Sequence, residues 1–318
     1  MINVYGHSIY GAYAAPQSVA VSSYWRVSSG YYNGTSSSLP ITGLGFQPQL
    51  LIIKGSGSTA NQDPVITWRG MSDSSGNTNA TTVINPSTKP ATGIVETFDS
   101  DGFTIGTSVL VNETGRRYFW TAWAGGDAQT AYGNYIGTGS SFQPVSGLTF
   151  QPRFLFLRKR DTTAYTILAL ENNVSGRAVR LSDIGFASNI ISSLDADGAT
   201  VGTSTASNGS GFTYDWIAFA PPSSACTISA YTGNGGGSQT ITGLAFSPQV
   251  VFLKGDSNAT PVFRGSAHTG TFSTILSDST AHGGQRITAI NSSGFTVGNN
   301  ANVNFLGVNY YYIAMTNG

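Results

Sequence analysis

The chain has 318 residues, 15 basic and 15 acidic side chains and no net charge. That length predicts two or three domains. Only 9% of residues are charged and no basic run occurs, so the electrostatic footprint of a nucleic-acid binder is missing. One cysteine, Cys226, excludes an intrachain disulfide framework and reads as a small buried residue at a strand start.

Aromatics make up 12% of the chain and glycine contributes 40 residues. Such a mixture reads as short strands joined by tight turns. Residues 1–22 lack a basic n-region and an apolar h-region, so no secretory signal is expected there. No apolar run approaches the ~18 residues of a membrane span, so no membrane insertion is expected. The segment carries Tyr5, Tyr10 and Tyr13 between small residues. It is expected to be an extended N-terminal arm that docks on a neighbouring surface, or else an extra edge strand.

From residue 23 onward the chain repeats itself. The stretch Ile41–Lys54, ITGLGFQPQLLIIK, returns as Val145–Arg158, VSGLTFQPRFLFLR, and as Ile241–Lys254, ITGLAFSPQVVFLK. Ahead of it, Tyr31, Tyr135 and Tyr231 each stand ten residues before the opening β-branched residue, followed by a Gly/Asn turn, which predicts a hairpin. Leu50–Ile53 is apolar at every position, the pattern of a strand covered on both faces.

Beyond that strand lies a variable segment, 55–96, 159–193 or 255–289, where the copies differ in length and loops are expected. It contains Trp68-Arg69-Gly70 in copy one and Phe263-Arg264-Gly265 in copy three, read as matching Arg-Gly pairs. Next come Phe98–Gly106, Leu194–Gly202 and Ile290–Gly298, each with a turn ending in Gly102, Gly198 or Gly294, positions 96 apart. Last come Tyr118–Ala124, Tyr214–Ala220 and Tyr310–Thr316, alternating strands with large groups on both faces. Asp215 replaces Phe119 in copy two, which predicts a water-exposed end to that face.

A period this long is a domain, not a solenoid unit. The fold class expected is all-β: three tandem antiparallel β-sandwich domains, jelly-roll-like, at 23–125, 131–220 and 226–318, after the arm at 1–22. The short linkers at Gly125–Thr130 and Pro221–Ser224 predict a fixed relation between the domains.

Chemistry-bearing constellations are few. The histidines are His7, His268 and His282, none at matched positions, and no nucleophile-elbow context occurs, so no enzyme is expected. The turn pairs Asp99/Asp101 and Asp195/Asp197 are weak calcium candidates, set against the plainer reading of Asp and Gly as turn residues. No other cofactor is implied. Lys54, Arg158 and Lys254 close the core strand in each copy and read as charges reaching solvent or a nearby carboxylate, with an anion or partner contact as the rival. Trp25, Tyr31, Tyr32, Trp68 and Tyr311 are sugar-stacking candidates against a core role, and Trp68 is the one expected to be exposed. Trp68, Arg69 and Arg264, with the arm tyrosines, are therefore the candidate binding residues.

The marker set of Tyr231–Gly235, Ile41–Pro48, Phe98–Gly106 and Tyr214–Ala218 resembles a repeat domain of tailed-bacteriophage virion proteins, three times over within about 23–318. The resemblance implies a non-enzymatic structural protein on the particle surface, in capsid decoration or a tail fibre, localised to the virion. Its partners would be other virion proteins through the arm, with a homo-oligomer expected. A carbohydrate-binding adhesin recognising a host surface glycan is the alternative, and an envelope polysaccharide depolymerase the third.

Overall fold

The computed structural model describes residues 25–57, 63–84, 90–140, 142–160, 162–172, 177–276 and 282–318. The arm and its Tyr5, Tyr10 and Tyr13 lie outside the described residues. The chain is all-β, built of six antiparallel sheets, and no sheet closes into a barrel among the described residues.

The first repeat contains β1 (Arg26–Asn33), β2 (Leu39–Thr42), β3 (Leu50–Gly55), β4 (Val65–Trp68), β5 (Thr81–Val83), β6 (Val95–Asp99), β7 (Gly102–Ile105), the single turn α1 (Val109–Asn112) and β8 (Arg117–Ala124). A five-stranded sheet, ordered β1-β8-β3-β4-β5, faces a three-stranded sheet, β2-β7-β6. In the second repeat β9 (Thr130–Ile136), β11 (Phe154–Lys159), β12 (Ile167–Leu170), β13 (Arg177–Arg180), β14 (Ala187–Ser188) and β17 (Thr213–Phe219) form the large sheet. Its small sheet is β10 (Gln143–Ser146), β16 (Gly198–Val201) and β15 (Ile191–Asp195). The third repeat has β18 (Cys226–Thr232), β25 (Asn309–Met315), β20 (Val250–Gly255), β21 (Val262–Gly265) and β22 (Thr274–Ile275) against β19 (Ser238–Thr242), β24 (Gly294–Gly298) and β23 (Ile287–Asn291).

The turn after β1 is not a hairpin. β1 pairs with β8 and β2 with β7, so the turn carries the chain from one sheet to the other. Its backbone is satisfied by a buried asparagine at the end of the helical turn. Thr35 N donates to Asn112 Oδ1, Thr138 N to Asn208 and Asn234 N to Asn304, at 2.7–2.9 Å. The register also corrects the tyrosine alignment. Tyr32, Tyr135 and Tyr231 are the equivalent residues, opposite Tyr118, Tyr214 and Tyr310. Each pair is stacked, with ring centroids 5.2–5.3 Å apart. The turn is one residue shorter in the first repeat, and a one-residue slip moves a strand side chain to the other face. Tyr31 is thereby 51% exposed.

The Asp turns are structural. Asp101 accepts from the backbone N–H of Gly43 and Gly45, and Asp197 from Gly147 and Thr149. Those N–H bonds hold the Asp197 carboxyl below its usual range. Asp99 and Asp195 instead take the hydroxyls of Thr104 and Thr200 on the neighbouring strand. The glycine that follows has no alternative, because a Cβ at Gly198 would sit 2.0 Å from the Val145 carbonyl oxygen.

Each sandwich has its own core, and a fourth core joins them. Leu51 and Ile53 point to the small sheet of their own repeat, while Leu50 and Ile52 belong to a cluster shared by all three. Trp25, Trp68 and Trp123 from the first repeat, Phe154, Phe156 and Phe219 from the second, and Val250, Phe252 and Ile313 from the third are in it. Cys226 is buried there too, at the start of β18, and burial pushes its thiol up to about 12. Strands covered on both faces thus have a sheet on one side and two other domains on the other.

The three repeats close into a ring. Gly318 N donates to Trp25 O at 3.0 Å, Arg26 Nη1 to Gly318 O at 2.8 Å, and Val27 N to Asn317 Oδ1 at 2.8 Å. The described ends therefore meet where a linker runs between the other repeats.

Candidate functional site

Among the described residues, the candidates drawn from sequence do not assemble. Trp68 is fully buried in the shared core, which corrects the expectation that it is exposed; its parity with Ile66 puts it on the inward face of β4. Trp25, Tyr32 and Tyr311 are buried as well. Arg69 donates to Gln47 Oε1 at 2.6 Å. Arg264 is buried and caps backbone carbonyls of His268, Gly270, Phe272 and Ile287, so it staples a loop. The two arginines are not equivalent. Arg69, Glu171 and Ser266 each donate their backbone N–H to the residue before the core strand, which places Arg264 at the position of Thr67.

Lys54, Arg158 and Lys254 do not reach solvent: all three are buried. Alternation puts them on the same face as Leu50 and Ile52, toward the neighbouring repeat. Arg158 Nη1 donates to Val83 O of the first repeat at 3.0 Å, and burial lowers its pKa to about 9. Lys254 Nζ donates to the carbonyls of Gly255 and Ser257, and burial lowers it to about 8.

The variable loops are spent on the junctions between repeats, and three equivalent places show how. At the second-to-first junction, Asp215 is fully buried, not open to water. It takes the guanidinium of Arg160 and the backbone N–H of Ser72 from the first repeat. At the third-to-second junction, Tyr311 packs on Phe186 at 4.8 Å, and Arg177 pairs with Asp256 at 2.7 Å. At the first-to-third junction, Phe119 stacks on His268 at 4.4 Å and meets His282 edge-on at 4.7 Å. Phe119, Asp215 and Tyr311 are equivalent by register, and so are Ser56, Arg160 and Asp256. Two junctions carry an ion pair at that last position. The first-to-third junction has the uncharged Ser56.

There the interface opens into a cleft of about 480 Å³. Phe119, Arg117, Asn33 and Ser56 line it from the first repeat, and Thr269, Phe272 and His282 from the third. Arg117 lies over the Tyr31 ring at 4.5 Å. Phe272 is 51% exposed. A smaller depression of about 250 Å³ on the second repeat is lined by Glu171 and Arg177, both already paired, with Arg153 and Asp256. The junction cleft is the stronger candidate. Among the described residues, no three His, Cys, Asp or Glu side chains gather as a metal centre.

A directed hydrogen-bond chain runs under the cleft. Gly265 N–H donates to His268 Nδ1 at 3.2 Å, which places that ring's proton on Nε2. Nε2–H then meets Thr274 Oγ1 at 2.7 Å, and the Thr274 hydroxyl is left to donate to His282 Nδ1 at 3.0 Å. His282 consequently carries its proton on Nε2, a buried atom with no hydrogen-bond partner among the described residues.

Both imidazoles are held neutral. Burial, then the charges of His282 and Arg264, lower His268 to about 3; burial, then Lys54, lowers His282 to about 4. Below pH 6.5 the unfolded chain takes up protons that the folded junction refuses. Stability is therefore fully present above that pH and is lost as pH falls toward 4. Between pH 7 and pH 4 the expected loss is on the order of 3 kcal/mol for each histidine, about 6 kcal/mol for the pair. Thermal melts across this range check it: replacing both histidines by glutamine should flatten the acid limb, and an unchanged limb would contradict the assignment.

Residues 21–134 match the model of a domain of unknown function, DUF7483. The match spans the first sandwich and most of β9, about a third of the chain. Comparison with curated proteins gives no match. The cleft was not legible in the sequence because its two walls come from residues 150 or more positions apart. The available signal was the alternation that puts Tyr31, Asn33, Arg117 and Phe119 on one face.

Proposed function

We propose that the protein is a non-enzymatic structural component on the surface of a tailed-bacteriophage particle, acting through protein–protein contacts. The observation that supports this most is the closed ring of three sandwiches around a shared core. A chain that uses its loops to seal its own junctions makes a rigid block, suited to decorating a shell or building a fibre. The motif resemblance supplies the particle context, and the arm at 1–22 is the proposed attachment to other virion proteins. Mass spectrometry of washed particles tests it. Hundreds of copies per particle mean capsid decoration and a few to a few dozen mean tail. Presence in the lysate with absence from particles would sink the proposal.

One observation favours a second reading, recognition of a host surface glycan. The junction cleft offers aromatic faces next to hydroxyl and amide groups, the combination a sugar ring uses for stacking and hydrogen bonding.

A further inference from the structure

We infer that the cleft between the first and third repeats binds an acidic saccharide, its carboxylate held by Arg117 and its ring lying on Phe272. The inference rests on the glycan reading above and specifies its ligand.

Charge comes first. Arg117 forms no ion pair among the described residues, and its only recorded side-chain partner is the face of Tyr31. The neighbouring Arg116 is matched by Glu113. Among the described residues no carboxylate lines the cleft. A guanidinium already fixed against a ring has lost the freedom that binding would otherwise cost it, and its fork suits a carboxylate.

Hydrogen bonding comes second. The hydroxyls of Ser56 and Thr269 and the amide of Asn33 are unengaged by other described side chains and suit sugar hydroxyls. His282 also lines the cleft, its Nδ1 already taken by the Thr274 hydroxyl.

Shape comes third. A volume of about 480 Å³ lies in the range of small-ligand sites and takes one or two sugar rings. Phe272 and Phe119 provide apolar faces from opposite repeats.

Ligand-detected saturation-transfer NMR on the full chain tests this, with sodium glucuronate, glucose and sodium sulfate as probes and competitors. The expected result is millimolar binding of glucuronate, at least tenfold tighter than glucose. Arg117→Gln should abolish the preference and Phe272→Ala should weaken binding severalfold, with unchanged melting temperatures because both side chains are exposed. Equal binding of glucose and glucuronate overturns the acidic ligand while leaving the glycan reading standing. Sulfate displacing glucuronate at equal concentration, with no effect of Phe272→Ala, overturns the saccharide in favour of a bare anion site. No transfer to either sugar overturns both this inference and the glycan reading.

Discussion

Cut out of the chain, residues 126–220 will not persist as a soluble, folded monomer. Phe154, Phe156, Leu168, Leu170, Val179, Leu181, Ile217 and Phe219 are at most 5% exposed, and all belong to the shared core. Excision puts that face in water. At about 1.5–3 kcal/mol per large apolar side chain, the loss is on the order of ten kcal/mol or more. A domain holds only about 5–15 kcal/mol of net stability. The fragment should self-associate or aggregate, as sedimentation velocity would read; a monomer with a sharp melt near that of the full chain would refute the shared core. The same cluster predicts how the intact chain unfolds. Trp123→Ala should cost about 3–5 kcal/mol and lower one calorimetric transition of the whole molecule, because the ring touches Phe154, Phe156 and Phe219 of the next repeat.

Arg160→Ala should be as damaging as a large core truncation. Asp215 has no exposure, and Arg160 Nε and Nη2 both donate to it. Removing the guanidinium strands a carboxylate between two repeats, a change that costs about 3–5 kcal/mol. Removing both partners leaves a smaller hole but no buried charge, so Arg160→Ala with Asp215→Ala should be more stable than Arg160→Ala alone. Chemical denaturation of the two variants decides it. A double variant less stable than the single one would mean that packing, and not the stranded charge, sets the cost.

The sequence made the repeats plain because the markers Gly102, Gly198 and Gly294 answer to backbone geometry, and the turn geometry leaves no room for a side chain. It also showed that Leu50–Ile53 is covered on both faces, since every position is apolar. What covers the second face was not legible. Alternation reports burial, and a neighbouring domain buries a side chain as well as a second sheet does. The charged residues carried the missing clue: Lys54, Arg158 and Lys254 keep step with Leu50 and Ile52, so they had to share the inter-domain face. Their long stems hid this, because a strand-end cation ordinarily turns out to water. Asp215 misled in the same way. Its partner Arg160 lies just past the end of the adjacent strand β11, and Ser72 lies in another repeat 143 positions away. The binding candidates Trp68 and Arg264 failed for a related reason. The segment they occupy varies between copies because each junction is sealed by different chemistry.

Among the described residues, two of the three junctions are crossed by the polypeptide and the third by noncovalent contacts, which makes it a line of least mechanical resistance. Tension between Trp25 and Gly318 acts on three hydrogen bonds that can yield one at a time, while the other two junctions are backed by covalent chain. Pulling on the two ends therefore opens a door and does not unravel a domain. The hinge side of that door is the shared core, and its free edge holds the cleft between Arg117 and Phe272. A ligand gripped from both sides, as proposed, would resist the pull.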